Sequence, residues 1–176
     1  MSGCEIFAGQ VRIHDQFWDR WLSTTRNVAI PYQWEALNDR IPDMEPSHCM
    51  RNFRIASGKE KGQHQGWVFQ DSDVAKWLEG VGYSLLTCPD PALEKQADEA
   101  IEEITAAQQP DGYLNTYYTI NGLEKRFTNL RDNHELYCLG HLIEGAVAYY
   151  RATGKRRLLD AVIRYADLVD SMFGPE

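Results

Sequence analysis

Apolar positions between residues 73 and 174 recur at the three-to-four-residue spacing of helices, in four successive blocks. Val74, Trp77, Leu78, Val81, Leu85 and Leu86 mark the first, predicted from about Asp73 to Thr87, with Asp71 or Ser72 as cap and Pro89 as stop. Leu93, Ala97, Ala100, Ile101, Ile104 and Ala107 mark the second, which Asp90 caps and Pro91 opens. Its other face is charged, with Glu94, Lys95, Asp98, Glu99, Glu102 and Glu103. Asp132-x-x-Glu135 has the form of a capping box and opens the third helix, residues 133–152, whose stripe is Leu136, Leu139, Ile143, Val147 and Tyr150. Gly154 ends it. Leu158, Val162, Tyr165 and Val169 mark the fourth, with Gly174-Pro175 as stop signal.

These four helices read as one hairpin written twice, over 73–112 and 136–174. Glu79-Gly80 pairs with Glu144-Gly145, Asp98 and Ile101 with Asp160 and Ile163, and Gly112 with Gly174. Helical hairpins that cannot bury their faces alone stack on copies of themselves. The first and third helices carry apolar or small residues nearly all round, as buried helices do, while the second and fourth are amphipathic. Alternating buried and surface helices predicts an all-α fold, an (α/α) toroid. Two hairpins do not close such a ring, so the 176 residues are expected to be the N-terminal portion of an (α/α)6 barrel in a larger protein. Residues 1–70 form a separate arm in this reading. A helix from Phe17-Trp18 to Asn27 is broken at Ile30-Pro31-Tyr32-Gln33-Trp34, and Pro42, Pro46 and Gly58 mark irregular connections. Residues 71–176 hold the two hairpins.

Composition narrows the partners. The net charge of −8 argues against nucleic acid and anionic membrane, both of which need basic surface. No apolar run approaches the ~20 residues of a membrane span. Residues Met1 to Ala8 lack the basic start and apolar core of a signal peptide. Cys4, Cys49, Cys88 and Cys138 are scattered, without a Cys-x-x-Cys pair, so the expectation is a cytoplasmic protein with reduced thiols.

Candidate chemistry gathers where helices one and three begin. In a toroid the inner helices start at one end, and their free N–H groups point into one funnel. Residues 63–71, entering helix one, and 110–118, opening the long connection to helix three, mix aromatic rings with amide, hydroxyl and carboxylate groups. That mixture suits a sugar, although aromatic loop residues also simply pack loops, and Asp111-Gly112 is a good turn pair. His134, Cys138 and His141 share one face of helix three and could ligate zinc, or Cys138 and His141 could be packing residues. His134, at the funnel mouth, is placed to hydrogen-bond a ligand hydroxyl through a neutral imidazole. Of the carboxylates on buried helices, Glu135 reads as the capping partner of Asp132. Glu79 and Glu144 repeat in both hairpins and read as ties to a neighbouring hairpin.

Four motifs taken together resemble glycoside hydrolase family 127, the β-L-arabinofuranosidases and their relatives. They are Ile30-Pro31-Tyr32-Gln33-Trp34, the run from Val68 to Glu79, the run from Ala107 to Leu114, and His134-Glu135-x-Tyr137 with Gly140-His141 and Ile143-Glu144. Phe173-Gly174-Pro175-Glu176 fits as well, so the resemblance covers essentially the whole chain. It implies an (α/α)6 catalytic barrel followed by β-sandwich domains, and retaining hydrolysis of β-L-arabinofuranosides or related sugars. It implies a cysteine nucleophile held on zinc by further cysteines and a glutamate, with another glutamate as acid/base. All of these positions are expected downstream of Glu176, so no catalytic or metal-ligating residue is assigned in this chain. For substrate binding the resemblance implies His134, and near the pocket Gln70 and Asp71. The expected partners are a carbohydrate and the remainder of the same polypeptide, and the chain alone is expected to be inactive. The alternative is a stand-alone helical module that dimerises or docks through residues 73–87 and 133–152, or one that binds metal through His134, Cys138 and His141.

Overall fold

The computed structural model of the chain describes residues 8–174. All regular structure among them is helical: α1 (Gln16–Thr24), α2 (Ile30–Leu37), α3 (Cys49–Ala56), α4 (Asp71–Thr87), α5 (Pro91–Ala106), α6 (Thr116–Asn121), α7 (Glu135–Thr153) and α8 (Arg157–Phe173). Cys4 and Pro175 lie outside the described residues, so Gly174-Pro175 can be followed only to Gly174. That glycine is extended at φ −67° rather than left-handed.

The two predicted hairpins are α4–α5 and α7–α8. Asp90 caps α5 through its carboxylate, which accepts from the N–H groups of Ala92 and Leu93. Gly154 ends α7 in the left-handed conformation that favours glycine, at φ 73°. The apolar stripe of α5 is buried throughout, as are Leu158, Val162 and Tyr165 of α8. The most extensive contact in the molecule is between α4 and α7, which run parallel at its centre, while α5 and α8 lie outside them. This is the front of an (α/α) toroid: α4 and α7 on the inner ring, α5 and α8 on the outer.

Two glycines allow the inner helices to approach closely. A Cβ at Gly82 would lie 2.6 Å from the Ala148 carbonyl carbon, and one at Gly145 would lie 2.7 Å from the Ala75 carbonyl oxygen. Gly80, the sequence counterpart of Gly145, faces open space. Nor are the inner helices apolar all round. Lys76, Tyr83 and Thr87 on α4, and Gly140, Glu144 and Arg151 on α7, form an exposed and largely polar stripe. The buried faces are those turned towards each other and towards α5 and α8, together with the face of α4 that meets α2. Of the predicted stripe of α7, Leu139 is buried, Ile143 is half-buried against the core, Val147 is half-buried, and Leu136 and Tyr150 are exposed.

Pro31 does not break the arm. Thr25–Ala29 is one π-helical turn joining α1 to α2, and Ile30 N–H reaches back to the Thr25 carbonyl. The wider turn makes room for a ring that cannot donate and would crowd the carbonyl one turn before it. Proline is then tolerated at the first positions of α2. The end of the arm is tied to the first inner helix: Trp34 stacks on Trp77 with ring centres 4.7 Å apart, and Trp77 Nε1–H donates to the Ile30 carbonyl at 3.0 Å. The connection predicted as a long loop before α7 contains α6 and a short 3-10 turn at Leu123–Lys125.

Candidate functional site

The segments leading into α4 and α7 meet at one end of the inner pair. Helix α4 begins at Asp71, two residues before its predicted start, with Gln70 as the capping residue and no side-chain cap. The turn ahead of it satisfies its first N–H groups instead: Ser72 N–H donates to the Phe69 carbonyl and Asp73 N–H to the Gln70 carbonyl. Helix α7 likewise lacks the capping box. His134 stands in the cap position with φ 56°, and Asp132 does not cap it. The Glu135 side chain turns away from Asp132 into the core, where it is fully buried and accepts from Tyr113 Oη (2.5 Å) and Phe127 N–H (2.8 Å). A capping box needs its glutamate to fold back on the cap residue, and here burial against Tyr113 and Phe127 wins. Burial pushes the Glu135 carboxyl up, opposed by the bonds from Tyr113 and Phe127.

A row of aromatic rings joins the start of α4 to the start of α7. Trp67 stacks on Phe69 at 5.9 Å, Phe69 lies 5.3 Å from the His134 ring, His134 5.6 Å from Tyr137, and Tyr137 4.5 Å from His141. Trp67 is 70% exposed at the outer end. The His134 Nδ1 lies 2.7 Å from the Asp132 carbonyl oxygen, which can only accept. Nδ1 therefore carries the proton, and in the neutral ring Nε2 is an acceptor. Lys76 Nζ donates to Tyr137 Oη (2.8 Å) and Ser72 Oγ (3.2 Å) beside this row.

Next to it, between α2, the loop before α3 and the start of α4, lies an open cavity of ≈ 770 Å³. That volume is of the size that holds small organic ligands. Gln33, Glu45, Ser47, His48, Gln70, Asp73 and Lys76 supply its polar groups, and Trp67 and Trp77 its rings. His48 is held by its N–H on the Asp39 carboxylate at 2.9 Å, in the left-handed conformation at φ 59°.

The three predicted sugar contacts have different surroundings. Gln70 lines the cavity, but its amide is heavily used. Its Oε1 accepts from Trp67 N–H (3.0 Å), and its Nε2 donates to Asp73 Oδ2 (2.7 Å) and Ser47 Oγ (3.3 Å). Asp71 is 8% exposed, and its two carboxylate oxygens accept from Thr116 N–H (2.7 Å) and Thr116 Oγ1 (2.5 Å). Burial raises its pKa to about 6 against those two bonds. His134 stands in the ring row. Asp73, Lys76 and Tyr137 stand within the motifs of the resemblance but were not singled out as site residues, and the loop 45–48 carried no signal beyond Pro46. The pairing of Trp34 with Trp77, which brings that loop to α4, is a tertiary contact.

The metal alternative does not assemble. Among the described residues, no three His, Cys, Asp or Glu side chains are grouped to hold an ion. Cys138 is buried and its thiol points to the Phe69 carbonyl (3.7 Å), while the buried Cys49 donates to the Gln70 carbonyl (3.3 Å). Burial pushes both thiols up, away from the thiolate a zinc site needs. His141 Nδ1 lies 2.8 Å from Glu144 on its own helix, and the Glu144 carboxylate also acts on the Tyr83 hydroxyl of α4. The described residues therefore do not fit a zinc site of their own.

The catalytic-domain profile of the family 127 β-L-arabinofuranosidases matches residues 10–176. The chain belongs to glycoside hydrolase family 127. It is 40% identical to the non-reducing end β-L-arabinofuranosidase of Bifidobacterium longum subsp. longum, over 94% of this chain and 28% of that protein. Its fold is similar to the crystal structure of a family 127 β-L-arabinofuranosidase from Geobacillus stearothermophilus T6, with TM-score 0.92, 64% identity, and 94% of this chain against 26% of that one. A second β-arabinofuranosidase structure of the family gives a TM-score of 0.83 at 38% identity, over 93% of this chain and 26% of that one. The chain thus spans about a quarter of the length of these family 127 relatives.

Proposed function

We propose that this chain is the N-terminal part of a retaining glycoside hydrolase that acts on β-L-arabinofuranosides or related sugars, and that it forms one wall of the sugar pocket. The observation that carries this reading is the ring row with an acceptor nitrogen at its middle, set beside a sugar-sized cavity with polar walls. Sugars offer apolar faces to rings and hydroxyl protons to acceptors. His134 Nε2 accepts a hydroxyl proton, and Trp67 offers a face to the apolar side of a sugar. Gln70, Asp73 and Lys76 bind hydroxyls in the cavity, where Lys76 has a proton beyond the two it gives to Tyr137 and Ser72. Asp71 acts through Thr116, holding the second loop against the first. Nucleophile, acid/base and zinc belong to the downstream polypeptide, which also covers the half-exposed stripe of α7 and the exposed Phe17, Trp18 and Trp21 of α1.

Hydrolysis of an aryl β-L-arabinofuranoside tests the reading. The full-length protein cleaves it, residues 1–176 alone do not, and His134→Ala in the full-length protein lowers kcat/KM about tenfold, the worth of one hydrogen bond to a hydroxyl. Cleavage by residues 1–176 alone, or an unchanged kcat/KM in His134→Ala, defeats it.

A further inference from the structure

The geometry points to Glu135 as a positioning residue, whose buried carboxylate closes the loop from Phe127 to Glu135 and so fixes the tautomer and aim of His134. The carboxylate spans the loop at its base. Both of its oxygens accept from Phe127 N–H, at 3.1 and 2.8 Å, and Oε1 also accepts from Tyr113 Oη. Two residues at this base have left-handed backbone, Phe127 at φ 60° and His134 at φ 56°. Phe127 is a bulky residue that rarely adopts this conformation, whereas histidine visits it more often than most. Something must hold the first end, and Glu135 is bonded to it and is the covalent neighbour of the second.

Within the closed loop the chain is tied internally. Asn129 Oδ1 accepts from Asp132 N–H (3.1 Å) and Asn133 N–H reaches the Asn129 carbonyl (3.2 Å). Those bonds leave the Asp132 carbonyl facing His134 Nδ1. The order of cause runs from Glu135 to the Phe127 turn, to the Asp132 carbonyl, to the proton on Nδ1 and the lone pair on Nε2. The far side of the base is packed: the Phe127 ring lies edge-on to Tyr113 at 5.4 Å, and Tyr113 edge-on to Tyr165 at 5.2 Å. Glu135 itself is shut off from the cavity, so it touches no sugar. Its importance for catalysis rests on the proposed role of His134 as a sugar contact, but the tautomer it sets is a property of the protein without ligand.

The test reads the imidazole directly. Protein labelled with 15N only at histidine reports the protonation of each ring nitrogen, and the His134 signals are assigned by their loss in His134→Asn. Glu135→Gln removes one acceptor oxygen and Glu135→Ala removes both. In the unaltered protein His134 is expected as the Nδ1–H tautomer. In Glu135→Gln its signals move towards a mixture with the Nε2–H form, and in Glu135→Ala they move further, while the other histidines keep their shifts. If Glu135→Ala does not fold, Glu135→Gln alone decides. An unchanged His134 tautomer in Glu135→Gln, or a displacement shared by all the histidines, overturns the inference. Adding L-arabinose separates it from the functional reading: sugar that leaves the His134 signals unmoved counts against the pocket, whereas the ligand-free tautomer shift supports Glu135 regardless.

Discussion

The contact between α4 and α7 predicts that one substitution will have opposite effects at two positions a half-turn apart. Replacing Gly82 with alanine puts a Cβ 2.6 Å from the Ala148 carbonyl carbon, 2.8 Å from Tyr149 N and 2.9 Å from Ala148 Cβ. None of these atoms is the end of a flexible side chain, so the helices must separate. Overpacking of a close contact costs about 1–3 kcal/mol, and backbone neighbours place Gly82 at the upper end. Alanine recovers about 1 kcal/mol of helix propensity, leaving a net loss of about 2 kcal/mol. At Gly80 the same Cβ meets nothing within 4 Å, and only the gain of about 1 kcal/mol remains. The two variants should therefore differ by about 3 kcal/mol, a separation of about 1.5 M in urea midpoint for a slope near 2 kcal/mol per molar. Urea titrations followed by far-ultraviolet circular dichroism read this difference. A Gly82→Ala midpoint at or above that of Gly80→Ala would falsify the packing argument.

Asp71→Asn should change how stability varies with pH. The folded pKa, raised by burial to about 6 from 3.8, means the folded state holds the proton through a window in which the unfolded chain has lost it. Stability therefore falls as pH rises from about 4 to about 6 and is level above. The fall is about 3 kcal/mol, because each tenfold difference in proton affinity is worth about 1.4 kcal/mol. Asp71→Asn should lack this fall when unfolding free energies are compared across the window, and an unfolding profile steeper than that of the parent would sink the argument. Trp67→Ala in the full-length enzyme should raise KM about threefold to tenfold with kcat nearly unchanged, the worth of one stacked ring, and should leave the melting temperature within a degree or so because the side chain is exposed. Steady-state kinetics that show a loss confined to kcat would remove Trp67 from the sugar-binding face. Chelator should abolish hydrolysis by the full-length enzyme while leaving the urea midpoint of residues 1–176 where it was. A chelator-dependent drop in that midpoint would return a metal to this chain.

How much of this was legible follows from which forces act locally. The hairpins could be read because apolar spacing, Asp90 with Pro91, and Gly154 each act within a few residues of where they stand. The ring row could be read only in part. His134 was visible through its motif and its place before a helix. Phe69 and Tyr137 became its neighbours only when α4 and α7 packed in parallel, and that depends on Gly82 and Gly145 rather than on either loop. The repeat itself misled at this point, because it paired Gly80 with Gly145 although the two face opposite environments. The capping box misled for a related reason. Asp132-x-x-Glu135 satisfies the local rule, but the glutamate has two stronger partners from a distant segment, Tyr113 and the Phe127 N–H. Pro31 is the same lesson in the opposite direction. A local breaker is overruled by a π turn, and what holds that turn in place is the remote stacking of Trp34 on Trp77.

The departures at His134, at Glu135 and in the arm lie at or near the same end of the inner pair, and that is itself informative. Natural chains depart from local rules where function requires a particular arrangement. Here the departures are a left-handed histidine before a helix, a glutamate drawn away from its cap, and an arm bent onto the first inner helix. Together they bring one acceptor nitrogen, a row of rings and a walled cavity to one end of the inner pair. Stability alone would be served as well by a capped α7 with an ordinary residue at position 134. The left-handed backbone of His134, which histidine tolerates better than most side chains, holds that imidazole on the Asp132 carbonyl and within the ring row.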